Sequence, residues 1–287
     1  MKKITVLGGS GFIGSHLCDL LTELGHDVTI YDLKKSRWMT SKQKMIVGNI
    51  LNKKKLFMAI KGSEIVFNFA ALANMNELND KAEKTVKYNI LGTVNALNVC
   101  NKCRVKKFIH ASTIYANTEE GGFYGRSKKA AEHYVEEYFN FYKLKYTILR
   151  FGSLYGERAE KDNGIRQILE NIKKKKSVIY RGSKKSLRQY IYVKDAVKLC
   201  ALVMSKKYDN KYLSITGKKI IKSSNLMKWL SKIYKIPSYK INYLQNKGHY
   251  EKKPTLFKPR IGKNIFAKKP EVFEKRIQKY ADLLFKK

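Results

Sequence analysis

Tyr124 and Lys128 stand four residues apart in Tyr124-Gly125-Arg126-Ser127-Lys128, a spacing that stacks a phenol and an ammonium on one face of a helix. A phenol of ordinary pKa, about 10, is a poor base at neutral pH, and a cation beside it favours the phenolate. Such a pair could draw a proton from an alcohol. One strand and one loop upstream, His110-Ala111-Ser112-Thr113-Ile114-Tyr115 offers Ser112 and Thr113 as hydroxyls to support the developing charge. A tyrosine and a lysine at this spacing are common, so meaning has to come from the rest of the chain.

That context is supplied at the amino terminus. Lys3 to Leu7 reads as a β-strand, Gly8-Gly9-Ser10-Gly11-Phe12-Ile13-Gly14 comes next, and an apolar-periodic stretch from Phe12 to Leu24 reads as a helix. Strand, glycine turn and helix form the dinucleotide-binding arrangement. Gly8 permits the tight turn, Gly11 lets backbone amides near Phe12 and Ile13 approach a pyrophosphate at the helix start, and Gly14 lets the helix pack close to the strand. Asp32 ends the second strand, where a carboxylate can bond both hydroxyls of an adenosine ribose and would repel a 2′-phosphate. The cofactor expected is therefore NAD, although Lys34, Lys35 and Arg37 lie just beyond. Lys128 could then both tune Tyr124 and hold the nicotinamide ribose.

These residues need a scaffold, and the periodicity predicts an α/β fold, a Rossmann-type doubly wound parallel sheet. Further strands are expected at Val28–Asp32, Met45–Val47, Glu64–Phe69, Lys107–Ala111 and Lys145–Phe151, with long helices over Lys81–Cys103 and Phe123–Tyr142. Beyond Phe151 the pattern predicts helices at Gly164–Lys175, Val193–Ser205, Ser223–Tyr234 and Glu271–Phe285, and short strands near Val178, Tyr190 and Tyr212–Ile215. The aperiodic stretch Ile236–Lys269 reads as surface loops and short strands. The division expected is a cofactor domain of residues 1–152 plus about 186–211, with a smaller α/β substrate lobe of about 153–185 plus 212–287.

Composition narrows the class. With 44% hydrophobic and 29% charged residues the chain of 287 residues is ordinary for a folded protein. Neither a secretory leader nor an apolar run long enough to cross a bilayer is seen, so a cytoplasmic setting is expected. Cys100 and Cys103 form a CxxC late in a helical segment without a second pair, so structural thiols are expected and no metal. A net charge of +37 could suggest nucleic acid, but the lysines are spread through almost every segment and greatly outnumber arginines. Runs such as Lys173–Lys176 read as solvated helix surface.

Taken together these stretches resemble the NAD-dependent epimerase/dehydratase family of extended short-chain dehydrogenases, over nearly the whole chain. Besides the glycine turn, Asp32 and YxxxK, Gly48-Asn49-Ile50 resembles the family's adenine-contacting GD(I/L). Asn68-Phe69-Ala70-Ala71 is similar to the cofactor-lining HxAA, and Asn89-Ile90-Leu91-Gly92-Thr93 to NVxGT. Leu149-Arg150-Phe151-Gly152-Ser153-Leu154-Tyr155-Gly156 resembles LRxxNxYG, with Ser153 where a substrate-binding Asn is usual. Arg188-Gln189-Tyr190-Ile191-Tyr192-Val193-Lys194-Asp195 resembles RDxIHVxD, whose arginine contacts the substrate diphosphate. The resemblance implies cofactor contacts from Asn49, Ile50, Phe69, Ala70, Ala71, Asn89 and Phe151, substrate contacts from Ser153 and Arg188, and a nucleotide-diphosphate sugar as substrate. It further implies a homodimer built on the two long helices, or a higher assembly, in sugar-nucleotide or surface polysaccharide biosynthesis.

Two departures carry weight. In relatives the catalytic hydroxyl lies four residues before the tyrosine of VYG. Counting back from Tyr115 lands on Ala111, so Ser112 or Thr113 must serve, Thr113 being slightly favoured. The stretch from Tyr115 to Tyr124 is also much shorter than the family's active-site loop, leaving an open site or one completed by another segment. Relatives that eliminate water carry an Asp-Glu pair just after the catalytic Thr, and none occurs between Ala111 and Tyr115, which disfavours 4,6-dehydration. Epimerase and net 4-dehydrogenase, oxidising a sugar hydroxyl at C4, stand nearly level. Reduction of a 4-keto sugar is a third reading, and a non-catalytic dinucleotide sensor that binds RNA is the alternative from another class.

Overall fold

The computed structural model describes residues 1–73, 81–118, 120–244, 263–267 and 270–286. Its frame is an eight-stranded, all-parallel sheet. In chain order the strands are β1 (Lys3–Leu7), β2 (Asp27–Asp32), β3 (Lys44–Val47), β4 (Ile65–Asn68), β5 (Lys107–Thr113), β6 (Lys145–Phe151), and two later ones, Lys211–Ile215 and Lys263–Ile265. They lie side by side as Lys263–Ile265, Lys211–Ile215, β6, β5, β4, β1, β2, β3. Because the order reverses between β1 and β4, a crevice opens at the carboxyl ends of those two strands.

Helices cover both faces. On one side lie α1 (Phe12–Glu23) and α7 (Val193–Leu202), burying Leu17, Leu21, Val197 and Cys200 against Ile4, Val6, Ile30 and Phe67. On the other lie α2 (Lys53–Ile60), α4 (Gly92–Lys102) and α5 (Gly122–Tyr142), burying Leu56, Leu97 and Val135 against Val66, Phe108 and Ile148. Strand residues alternate between the two clusters, as the pleat requires. The stretch expected as one helix over Lys81–Cys103 is instead a short turn α3 (Ala82–Thr85), a π-helical segment (Val86–Leu91) and α4. A π segment slips one extra residue into the turn and so re-aims the helix beyond it.

The smaller lobe is built from β7 (Ser153–Tyr155), α6 (Gly164–Lys175), β8 (Val178–Arg181), β9 (Leu187–Arg188), β10 (Tyr190–Tyr192), β12 (Ile221–Lys222), α8 (Ser223–Ile233), β13 (Ile241–Leu244) and α9 (Phe273–Phe285). Its own core joins Leu169, Tyr180, Met227, Leu230 and Ile277. The strands β11 (Lys211–Ile215) and β14 (Lys263–Ile265) extend the main sheet, with Leu213 opposite both Leu149 and Lys263. Leu213 and Ile215, in the stretch from residue 212 that the sequence reading gives to the lobe, complete the apolar face that β6 would otherwise expose. Of the aperiodic stretch from residue 236, residues 245–262 and 268–269 lie outside the described residues.

Lobe and sheet are tied along α1. Arg158, in the loop after β7, pairs with Asp19 of α1 at 2.7 Å and lies over the Trp38 ring at 4.5 Å. His16 of α1 donates from Nε2 to the Glu157 carbonyl at 2.9 Å. Trp38 belongs to the segment between β2 and β3, so one arginine joins three parts of the chain.

Candidate active site

The site begins at the crevice. Gly8 takes φ +78°, and a Cβ there would lie 2.6 Å from the Ala70 amide nitrogen, so β1 and β4 can meet here only through glycine. A Cβ on Gly14 would overlap the Gly8 carbonyl oxygen. The first turn of α1 has no side-chain cap and no acidic residue, so its amides are oriented for an anion. Asp32 closes the turn from β2, its Oδ2 accepting from the Ser10 amide at 2.9 Å. This cradle, an uncapped helix start behind a wall of glycine backbone with a carboxylate at the next strand end, fits the pyrophosphate and ribose of a dinucleotide.

Gly8, Gly11, Phe12, Ile13 and Gly14 line a cavity of about 1150 Å³ together with Phe69, Ala71 and Phe151. Farther along the same cavity stand Ser112, Thr113, Tyr124 and Lys128, then Ser153 and Arg188 from the lobe. Four other expected cofactor residues back the walls. The Ala70 backbone faces Gly8. Asn49 receives the Tyr31 hydroxyl on its carbonyl at 2.8 Å and the Leu51 amide on its side chain at 3.0 Å. Ile50 is buried in the core against α4. Asn89 is wholly buried in the π segment, accepting from the Leu72 amide at 2.7 Å and donating to the Leu72 carbonyl and to Ser127 Oγ. Its amide thus pins the chain after β4 to α5.

Tyr124 sits in the first turn of α5 and Lys128 one turn on. Their approach depends on the short loop that precedes them. Gly121 and Gly122 both take positive φ, at 88° and 51°, and a Cβ on Gly121 would press on the Tyr115 side chain. Only glycine turns the chain there so tightly. Thr113 ends β5. Its hydroxyl accepts the Tyr115 amide at 3.3 Å and bonds the Tyr124 hydroxyl. The amide bond orients the threonine proton toward the phenol oxygen, which favours phenolate. Ser112 Oγ, by contrast, is buried on the other side of β5 with no hydrogen-bond partner among the described residues.

Burial dominates the electrostatics. Desolvation pushes the Tyr124 phenol up to about 12, against the Thr113 bond that pulls it down. It also lowers the Lys128 ammonium to about 8, with Glu132 acting in the opposite sense. Glu132 is itself engaged by Arg150 of β6 through two bonds, at 2.9 and 2.7 Å, both side chains nearly sealed from solvent. The Arg150 guanidinium stacks 4.4 Å above the Tyr212 ring. Among the lining groups that sequence reasoning missed are Arg166, Asn171 and Arg181. None of these carries a motif signal, since only the folding of α6 and the edge of β8 bring them to the cavity. Cys100 is fully buried and burial holds its thiol well above the usual range.

A parallel sheet with a glycine-lined switch point and a Tyr-Lys pair beside it defines an extended short-chain dehydrogenase/reductase. The profile of the NAD dependent epimerase/dehydratase family matches residues 4–215, and the chain belongs to that family. It is similar to a putative UDP-glucose 4-epimerase of Methanocaldococcus jannaschii, with 30% identity over 239 residues, 75% of this chain and 77% of the relative. It is also similar to the dTDP-D-glucose 4,6-dehydratase of Dictyostelium discoideum, 27% identical over 72% of this chain and 56% of that protein. Among solved structures, the UDP-glucose 4-epimerase with UDP-glucose from Thermotoga maritima superposes with a TM-score of 0.84 at 26% identity, 99% of each chain being covered. The UDP-glucose 4-epimerase of Thermus thermophilus, in complex with NAD, shares the fold, with a TM-score of 0.81 at 21% identity over 98% of each chain.

Proposed function

We propose that the protein is an NAD-dependent 4-epimerase of a UDP-hexose. The observation that carries this reading is a single cavity with a dinucleotide cradle at one end, the Tyr124–Thr113–Lys128 group in its wall and Arg188 toward the lobe. Gly8, Gly11, Gly14 and the start of α1 would hold the pyrophosphate, Asp32 the adenosine ribose, and Lys128 the nicotinamide ribose. When bound, NAD supplies a hydride acceptor that can return the hydride to either face of the sugar carbon.

The chain's own residues handle the proton. Tyr124 removes it from the C4 hydroxyl while Thr113 donates to the phenol oxygen, and Lys128 supplies positive charge close by. Tyr124 then gives the proton back after the keto sugar has turned. Arg188 anchors the diphosphate, so the sugar can rotate without leaving. Nothing acidic is found after Thr113 in the turn Ile114–Asn117, so no group stands there to drive elimination of water. Exposed apolar side chains on the π segment and α5, among them Val86, Leu91, Tyr134 and Phe141, support a homodimer. The setting we propose is the cytoplasm; among the described residues no helix is long and apolar enough to cross a membrane.

Incubation with UDP-glucose should yield UDP-galactose, and denatured protein should release NAD. Substituting Tyr124→Phe should lower kcat by roughly 10²–10⁴ while leaving NAD bound. Accumulation of NADH with a 4-keto product would replace epimerase by net dehydrogenase, and no turnover of any UDP-hexose would defeat the reading.

A further inference from the structure

The lysines are spread through the chain, but the acidic residues are not. Between Asp32 and Glu64 the sequence holds nine Lys and Arg and no Asp or Glu. This stretch builds one margin of the molecule: the loop after β2, the edge strand β3, whose only sheet neighbour is β2, and helix α2. All nine cations are exposed, and only Lys44 has an acidic partner, Asp27, among the described residues. A second acid-free run, from Lys84 to Thr118, supplies α4, which packs beside α2 and is followed by the exposed Arg104.

Apolar side chains stand among these charges. On α2, Leu56, Ala59 and Ile60 are buried, and the outer face carries Lys54, Phe57, Met58 and, at the helix end, Lys61, aligned by spacings of three and four. Met58 is 65% exposed and Phe57 41%. Leu33, just past β2, and Val47, at the end of β3, are exposed on the same margin. Charge of one sign decides what can cover such a face. A second copy of the chain would set like charges against like across a two-fold contact. Nucleic acid would satisfy the cations, but it has no apolar layer for Met58, Leu33 and Val47, which cannot stack on bases as aromatic rings do. An anionic bilayer meets both needs, with headgroup charge for the lysines and an acyl boundary for the side chains between them.

We propose that the margin built by residues 33–63 is a docking surface for an anionic lipid bilayer, with Phe57 and Met58 entering the interface and the lysines around them at headgroup level. The contact is peripheral and needs no spanning segment. Strand β6, which leads into the lobe, lies five strand spacings from β3, roughly 24 Å. The substrate lobe therefore stays in water while the margin is engaged. The proposal does not depend on the catalytic reading.

Co-sedimentation of the full chain with vesicles tests the surface. Partitioning onto mixed phosphatidylglycerol and phosphatidylcholine vesicles is expected to exceed that onto phosphatidylcholine alone by roughly tenfold or more, and to fall steeply with added salt. Phe57→Ser with Met58→Ser, which leaves the charge unchanged, should lower it severalfold. Lys53→Glu with Lys54→Glu should lower it roughly tenfold; both lie in the first turn of α2, where acidic side chains favour the helix, so the loss does not come from unfolding. Lys228→Glu with Lys232→Glu, exposed on α8 of the lobe, alters the net charge equally and should leave partitioning near wild type. Equal loss in the two charge variants would give the attraction to the whole molecule and overturn the docking surface. So would full partitioning by the Phe57 and Met58 variant, or tighter binding to poly(U) RNA than to the vesicles, which would assign the margin to nucleic acid.

Discussion

Lys128 is a cation held away from water, and at the scale of single residues its ionisation sets a pH limit. Because burial lowers the ammonium to about 8, the charged form that supports the phenolate is lost as pH rises through that value. The proposed 4-epimerase activity should therefore fall on the alkaline side of pH 8, and a kcat profile flat to pH 10 would contradict it. Lys128→Met should remove this limb together with most of the rate. The pairing itself was legible in advance, since Tyr124 and Lys128 are one helical turn apart and share the cavity, as the YxxxK spacing predicts. The choice between Ser112 and Thr113 was not legible, because it depends on which side of β5 each hydroxyl faces, and a turn with a deleted residue hides that from counting. Thr113 is the one that bonds Tyr124. Asn89 shows the opposite case: a motif residue is in place, yet its side chain is spent on Leu72 and Ser127.

At the scale of elements, the strands and most helices match the hydrophobic period, and the exceptions have physical causes. Helix α2 has eight residues, begins Lys53-Lys54-Lys55 and buries only Leu56, Ala59 and Ile60, too little apolar stripe to register as a period. The π segment is hard to see in sequence because one added residue shifts the apolar stripe by a single position, which blends into the ordinary mix of i+3 and i+4 spacings. Strand β14 lies past a stretch without periodicity, and only its pairing with β11 reveals it. The Glu132–Arg150 pair joins α5 to β6 and so fixes the helix that carries both catalytic candidates. Removing one partner leaves the other charge buried and alone. Arg150→Met should destabilise the fold by about 3–5 kcal/mol in urea denaturation, and pairing it with Glu132→Leu should restore much of that loss. Additive losses in the double variant would show that the pair is not coupled.

At the scale of the whole molecule, lobe and sheet together form the cavity. The lobe was harder to read in advance than the sheet because several of its strands have only two or three residues, too few to show an alternation. The charge of +37 concerns approach more than fold: a cationic surface gathers anionic nucleotide sugars, and this help is screened by salt. The exposed Phe141 and Tyr134 on α5 make a prediction about assembly. Replacing both by Lys should dissociate the proposed homodimer to monomer in sedimentation equilibrium, and an unchanged mass would remove these side chains from its interface.

Arg158 grips Trp38 and Asp19 at once, and this has a consequence for turnover. The knot steadies the segment after β2, whose Arg37 lines the cavity, so a seated dinucleotide should depart more slowly while the knot holds. A catalyst that regenerates its own oxidant each cycle has no use for rapid exchange, and a slow escape suits it. Severing the knot with Arg158→Ala should quicken NAD dissociation severalfold in a displacement measurement, with Trp38 emission reporting the change; an unaltered off-rate would mean that the knot does not govern release.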